Sequence, residues 1–560
     1  MALTPLAKNI VKGVGALAIL AVTCSVGFYI YSNSGDDPAT TVASAPGEAA
    51  PAQAEDRGVF SGIFGGGGNS GPLGSEGNPL TVSIVSWHGY VGGLTANGGL
   101  TTQPGSINAR NGLYVKYILD DGIPTMAERF EPGDAQCMWR TVDFWAQEQP
   151  ALRSVGLDGR MVMVVDNSRG GDAIIGRKGT IESVEDLAGK TVAITEFTPS
   201  HMLGLYAVEQ SSLSGRAKSS VNFRGFPDNA TALAAFRAGQ VDALITWEPE
   251  TSIALTTVDG ATPVFTTAEA TSLIYDGIVC NTRTIETHPD VIQRFVGGWM
   301  EGATAARANP GAGADVLTAN EPLFAALVAD NGRNFLTDRV FGGIVWSDLA
   351  DNIRVLGLAG SGGDQIARIY SESNDIWRAN TNLLDGMAQV SSGDAFDDTF
   401  IRALMDTAPQ ARTAAAAPEF TFTSTERATV VQTGGSALTK PIAINFATGQ
   451  ATLNARGKAT IEAELIPLLD ATAGSYVRVS GNTDSTGGAA LNTRLSGQRA
   501  GVVSEWLQSE WEIPGDRLEV VGNGEDNPIC DESNPTGDGY DDLETCRAAN
   551  RTTRFEILSR

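Results

Sequence analysis

Two groups of residues in this chain have the types and spacing to hold a small molecule without covalent chemistry. Near the C-terminus, the stretch GNTDSTGGAALNTRLSGQRA places Asp484 in the loop after an apolar strand, SYVRVSG, and Arg499 on the helix that follows. A carboxylate and a guanidinium gathered at one loop mouth bind a zwitterion: the Asp takes an ammonium and the Arg takes a carboxylate as a bidentate pair. In the first half, Trp87, His88, Gly89 and Tyr90 follow the apolar strand TVSIV. That position lies outside the carboxyl end of a strand, where open α/β sheets bind ligands. Further on, Thr198, Pro199 and Ser200 open a helix, whose exposed N–H groups and the Thr198 and Ser200 hydroxyls either suit an oxyanion or simply cap the helix. Another strand ends in Trp247, Glu248 and Pro249.

Other chemistries find no support in the residues. There is no G-x-S-x-G, H-E-x-x-H or phosphate loop, and no Ser/His/Asp order, so the chain is expected not to be an enzyme. With five cysteines, three histidines and no zinc-ligand spacing, no metal and no cofactor is expected. Cys530 and Cys546 bracket a loop rich in Gly, Asp, Asn and Pro, as a disulfide in an oxidising compartment would. Cys137 and Cys280 either pair or remain two separate buried thiols. The acidic run DGYDDLE lacks the spacing of a calcium loop and reads as solvated loop. A net charge of −26 with a pI near 4.5 repels phosphate backbones, which disfavours a nucleic-acid partner. A local site for an anion remains compatible with that mean field.

The elements that must position these residues fall into blocks. No charged residue occurs between Gly13 and Gly35, and the apolar run is about 20 residues, enough to span a bilayer as a helix. Lys8 and Lys12 precede it and Tyr29 and Tyr31 close it, which puts residues 1–12 in the cytoplasm, a single-pass anchor at 13–31 in the inner membrane, and the bulk in the periplasm. A cleaved signal peptide and lipidation at Cys24 are the competing readings. The span contains no Asp or Glu, so it lacks the group a proton-driven stator needs. Residues 32–79, with SNSGDD, Ala/Pro and GGGG, read as a disordered spacer. From 80 to 408, strands alternate with helical stretches, which implies parallel α/β sheets in two lobes. Residues 409–438 read as a second linker, and 439–560 as a compact β-α-β-α-β-β module.

That final module closely resembles the OmpA-like peptidoglycan-binding domain, through Thr483, Asp484 and Gly487, then Asn492, Leu495 and Ser496, then Arg499, Ala500 and Val503. The pattern continues in Gly522, Gly524, Glu525 and Pro528 and ends in Asn550 and Arg551, with Thr552 where a second Arg is common. The resemblance implies that Asp484 and Arg499 grip the diaminopimelate of the wall's stem peptide, that Asn492 supports the loop, and that Thr483 and Arg551 belong to the same site. The central block is similar to the periplasmic substrate-binding proteins of the nitrate, sulfonate and taurine transport group. The matching features are Trp87 and Gly89, the stretch Asp166, Ser168, Gly170 and Asp172, the pair Ser200 and His201, then G-x-V-D-A and W-E-P. This implies an α/β two-lobed clamshell closing on a small solute, lined by Trp87, Tyr90, Ser168, Ser200, His201, Trp247 and Glu248, with an ABC permease as a partner. His201 either donates to an anion or packs its helix. The alternative is a structural envelope protein whose clamshell holds no ligand and which links inner membrane and wall.

Overall fold

Strands β1 (Leu80–Ile84), β2 (Val115–Leu119), β3 (Cys137–Thr141) and β4 (Gly159–Ser168) begin a first sheet. Apolar runs such as MVMVV and CMWRT show no alternation because helices cover both faces, and β3 is buried along its whole length. The chain leaves this sheet at Ser168 and builds a second from β5 (Asp172–Arg177), β6 (Thr191–Thr195), β7 (Asn222–Phe226), β8 (Ala243–Trp247) and β9 (Ala261–Thr266). It then returns to the first sheet as β10 (Tyr275–Asn281), and β11 (Ile344–Trp346) completes it. In this computed structural model, which describes residues 70–130, 134–360, 363–433, 435–444, 446 and 450–558, the strand orders are β11-β4-β10-β3-β1-β2 and β7-β6-β8-β5-β9. Pairs β1–β2, β1–β3, β6–β7 and β6–β8 are parallel, whereas β10 runs antiparallel to both β3 and β4 because it re-enters from the other lobe.

Two crossovers therefore join the lobes, and they are bonded to each other. Thr267 Oγ1 lies 2.7 Å from Ser168 Oγ and accepts from the backbone N–H groups of Gly170 and Asp172 at 2.8 and 3.2 Å. Gly170 sits at φ +111°, a left-handed backbone that favours glycine in so tight a passage.

The C-terminal sheet contains β12 (Ser436–Ile442), β13 (Tyr476–Asn482), β14 (Leu518–Gly524) and β15 (Thr553–Leu558) in the order β12-β15-β13-β14, with β13 and β14 parallel. The long helix Ala489–Glu510 covers one face, and an additional helix, Leu543–Asn550, precedes β15. The acidic run read as loop therefore ends in a helix start. Asp542 and Thr545 form a reciprocal cap that outweighs the turn-forming composition.

The stretch 409–438 also differs from the expected linker. Helices Pro409–Ala415 and Ser424–Thr433 occupy much of it. The second belongs to the terminal module: Glu426 accepts from the Tyr476 hydroxyl at 2.8 Å, and Arg427 donates to the Leu518 carbonyl at 2.8 Å. Residues 70–79, expected as the end of the first spacer, instead turn back on lobe one, with Gly74 bonded to Asn78 and Leu73 packed on the core. Gly, Pro and Asn serve tight turns as readily as flexible chain. Residues 1–69, with Cys24 and the expected anchor at 13–31, lie outside the described residues. Among the described residues no helix is long and apolar enough to cross a membrane.

The terminal module is docked on the second lobe. One apolar cluster runs from Ile174, Leu203 and Phe265 into Leu438, Leu468 and Phe555. The contact touches both crossovers. Arg169 pairs with Glu419 and stacks 4.7 Å over Phe420, while Thr271, Ser272 and Glu269 bond to Gly474, Ala471 and Ser475. Both disulfides are formed, Cys530–Cys546 within the terminal loop and Cys137–Cys280 across the paired strands β3 and β10.

Candidate functional site

Between the lobes lies a cleft of about 1020 Å³. Its floor is made by strand ends: Trp139 and Thr141 on β3, Asp172 on β5, Thr195 on β6, Trp247 on β8 and Asp276 on β10. Trp87, Trp247 and Glu248 of the expected set line it. Ser168 and Ser200 stand behind the lining and hold it in place: their hydroxyls donate to Asp172 at 2.7 and 3.2 Å. Asp172 thus belongs at once to the cleft and to the crossover network.

Tyr90 and His201 are placed elsewhere. Tyr90 is fully buried and packs edge-on against Trp299, because the helical turn His88–Tyr90 directs it into lobe one. His201 is buried among Phe197, Phe223 and Trp377, and burial lowers its pKa to about 4, so the neutral ring accepts at Nδ1 from the Phe197 N–H at 3.2 Å. Phe197, at φ +59°, lines the cleft. A left-handed non-glycine residue is costly, and His201 supports it. His201 therefore acts on the cleft through Phe197 and does not face a solute.

The carboxyl groups of the cleft are deeply buried. Desolvation pushes Asp172 and Glu248 up to about 7 each, against the bonds from Ser168 and Ser200 to the first and from Ser252 to the second. Asp276 and, behind it, Asp166 are also raised, by burial above all, with Asp276's charge adding to the rise at Asp166. Trp139 Nε1 donates to Asp276 and Trp87 Nε1 donates to Asp166 at 3.0 Å. Asp166 is reachable only because residue 89 is glycine, since a Cβ there would fall 1.6 Å from its Oδ2. Trp139 and Asp276 belong to no motif, Trp139 lying in the middle of β3 and Asp276 at the second position of β10.

Folded Asp172 and Glu248 hold protons more tightly than the unfolded chain does. Stability is therefore expected to fall as pH rises from the ordinary carboxylate range through about 7, and to level off above it. The thermal midpoint should be higher at pH 5 than at pH 8, and Asp172→Asn should flatten the decline.

The second site lies on the terminal module. β13 delivers Thr483 and Asp484 into the loop facing the helix Ala489–Glu510. Asp484 does not pair with Arg499. One oxygen accepts from Arg551 Nη1 at 2.6 Å and the other from the Thr486 N–H at 2.9 Å. Arg551 bridges onward to Glu544 at 2.6 Å. Arg499 is half-buried, stacks 5.0 Å over Phe446 and donates to the Gln450 carbonyl at 3.2 Å, with no carboxylate partner among the described residues. Asn492 ties the loop, bonding Glu525 at 2.7 Å and the Thr486 carbonyl at 3.4 Å. The Thr483 hydroxyl is buried without a partner among the described residues. The disulfide loop joins from the other side through Glu532, which accepts from Ser485, Arg547 and Asn550. The arrangement offers a carboxylate for an ammonium and an unmatched guanidinium for a carboxylate.

Close approach of strand and helix sets this geometry. A Cβ on Gly481 would lie 2.0 Å from the Ser496 carbonyl, so Gly481→Ala must push the helix bearing Asn492 and Arg499 off β13. Overpacking of this kind costs about 1–3 kcal/mol, and a lowered denaturation midpoint is the expected reading. Among the described residues, no cluster of His, Cys, Asp and Glu is placed to hold a metal ion.

Residues 445–541 match the OmpA family and residues 160–312 match the NMT1/THI5 like family, so the chain fuses a domain of each kind. It is 39% identical over 79 residues to outer membrane porin F of Pseudomonas aeruginosa, which covers 14% of this chain and 20% of that protein. It is 38% identical over 90 residues to the peptidoglycan-binding protein ArfA of Mycobacterium tuberculosis, covering 16% and 24%. The chain thus spans only a fifth to a quarter of the length of these relatives. Among solved structures, the periplasmic aliphatic sulphonate binding protein SsuA of Escherichia coli aligns with a TM-score of 0.42 at 17% identity, covering 57% of this chain and 93% of that one.

Proposed function

We propose that this chain is a wall-attached solute receptor of the bacterial envelope. The terminal module holds peptidoglycan through Asp484 and Arg499, which take the ammonium and carboxylate of a diaminopimelate stem peptide, while the two lobes capture a small solute without covalent chemistry. Residues 13–31 anchor the chain in the inner membrane with its bulk in the periplasm, and the loaded lobes serve ABC-type uptake or sensing. The observation that carries this reading is the presence in one chain of an OmpA-family loop with an unmatched Arg499 and a deep inter-lobe cleft.

A second reading, a ligand-free spacer between membrane and wall, draws on a different observation. The terminal module clasps both crossovers through Arg169 and residues 269–272, a contact that restrains hinge motion. Both readings require retention on sacculi. They separate in a thermal-shift screen of the full chain against nitrate, sulfonates, taurine, urea and amino-pyrimidines, the solutes that the sequence resemblance brings forward, extended to organic cations. Stabilisation by any member supports the receptor; a flat response across the panel favours the spacer.

A further inference from the structure

The charge of the cleft is one-sided. Its described lining contains no Lys, Arg or His, yet Asp121, Asp172, Glu196, Asp228, Glu248 and Asp276 all face it. Glu250 stands beside Glu248, and Glu148 is the member whose charge is met, by Arg140. Asp172, Glu248 and Asp276 are nearly fully buried and make no ion pair with any described Arg, Lys or His. A buried carboxylate without a counter-charge is costly and is held neutral by a proton until a cation arrives.

The remaining wall suits the rest of such a ligand. Trp87, Trp139 and Trp247 border the acidic floor, and Ile123, Leu152 and Met387 extend the pocket as apolar surface. Indole rings attract ammonium groups through their faces, and the attraction grows when water is excluded. A nitrate or sulfonate placed here would find no fixed cation in the described lining, and each floor carboxyl that ionised would repel it.

We infer that the solute of this cleft is an amphipathic organic cation, its ammonium held among Asp172, Glu248, Asp276 and the three indoles and its apolar body along the Ile123 and Leu152 wall. The inference rests on the receptor reading and reverses the ligand charge that the transport-group resemblance implies. Binding a cation must also displace protons from the floor, whose charged and titratable surroundings include Asp121, Asp143, Asp166, Glu196, Asp228, Glu250 and the Arg140–Glu148 pair. Affinity should therefore rise between pH 6 and 8.

The test compares three probes of similar size on the full chain: benzyltrimethylammonium, phenylmethanesulfonate and benzyl alcohol. Thermal shift and titration calorimetry are expected to show binding of the ammonium alone. Its affinity should rise at least tenfold from pH 6 to 8, with proton release detected as a buffer-dependent heat. Asp276→Asn, which keeps an acceptor for Trp139, should weaken it at least tenfold, as should Asp172→Asn, with both variants keeping the parent's circular dichroism and a cooperative thermal transition as evidence that the lobes fold. Binding of the sulfonate alone would overturn the cation while leaving a solute receptor in place. Equal binding of all three would reduce the site to apolar contact and overturn it as well. No binding by any probe would overturn it and, if the wider panel is also silent, the receptor reading with it.

Discussion

Asp484→Ala is expected to lose at least thirtyfold in affinity for purified sacculi while the terminal module stays folded. Removing one member of a desolvated, hydrogen-bonded charge pair costs about 2–5 kcal/mol in binding, and about 2 kcal/mol already corresponds to that factor. Asp484 is nearly buried, so an ammonium held there would be well screened from water. The loop should survive its loss: Arg551 keeps Glu544, Asn492 keeps Glu525, and the disulfide loop keeps Glu532 against Ser485. Arg499→Ala should give a loss of similar size from the carboxylate end, because among the described residues its guanidinium gives the fold one bond, to the Gln450 carbonyl, and a ring contact with Phe446. Quantitative co-sedimentation, with circular dichroism of each variant as the control for folding, measures both. Retention within twofold of the parent in both variants would remove these residues from the site.

Arg517→Met carries the largest expected cost in stability. The guanidinium is 4% exposed and donates to the carbonyls of Ser475, Leu469 and Thr472 at 2.9, 2.9 and 2.7 Å, with Phe422 at 5.7 Å. It closes the C-terminal end of the helix Ile466–Ala471, where carbonyls lack helical partners and the dipole favours a cation. Three bonds from a charged donor at about 1.5 kcal/mol each put the loss on the order of 4 kcal/mol. The same turn carries Ala471, Gly474 and Ser475, which bond to the crossover residues Ser272, Thr271 and Glu269. The variant should therefore lower the urea midpoint and also speed amide exchange at residues 269–272. An unchanged midpoint would mean that the buried guanidinium is replaceable by packing alone.

Sequence patterns revealed most of the frame, for identifiable reasons. Runs such as MVMVV and KTVAIT are apolar on both faces, and strands of this kind occur where helices cover a sheet on both sides. Trp87, Trp247 and Glu248 were recognisable because they stand at or just beyond the ends of such strands. Trp139 and Asp276 were not, since each lies within a strand and outside any motif, and position in a strand does not say which side chain reaches a cleft. Tyr90 was placed by its position after the first strand and His201 by a motif pair, but neither says which side a helical turn presents; Tyr90 entered the core and His201 became the acceptor for Phe197. Composition also misjudged the connectors. The Ala- and Thr-rich stretch before β12 folds because Tyr476 and Leu518 supply long-range partners for Glu426 and Arg427, contacts that no local pattern encodes. The pairing of Asp484 with Arg551 in place of Arg499 has the same origin, since the helix Leu543–Asn550, which Arg551 follows as its C-terminal cap, starts inside a run that reads as acidic loop.

Competition distinguishes wall attachment through a zwitterion clamp from other modes of retention. The full chain is incubated with sacculi whose stem peptides contain diaminopimelate, pelleted, and challenged with excess free meso-diaminopimelate or with Nα-acetyl-lysine amide. The protein is expected to pellet, diaminopimelate to release it, and the blocked lysine, which has an ammonium and no free carboxylate, to release far less. A protein that stays in the supernatant, or one that pellets equally in the presence of either competitor, would contradict the clamp.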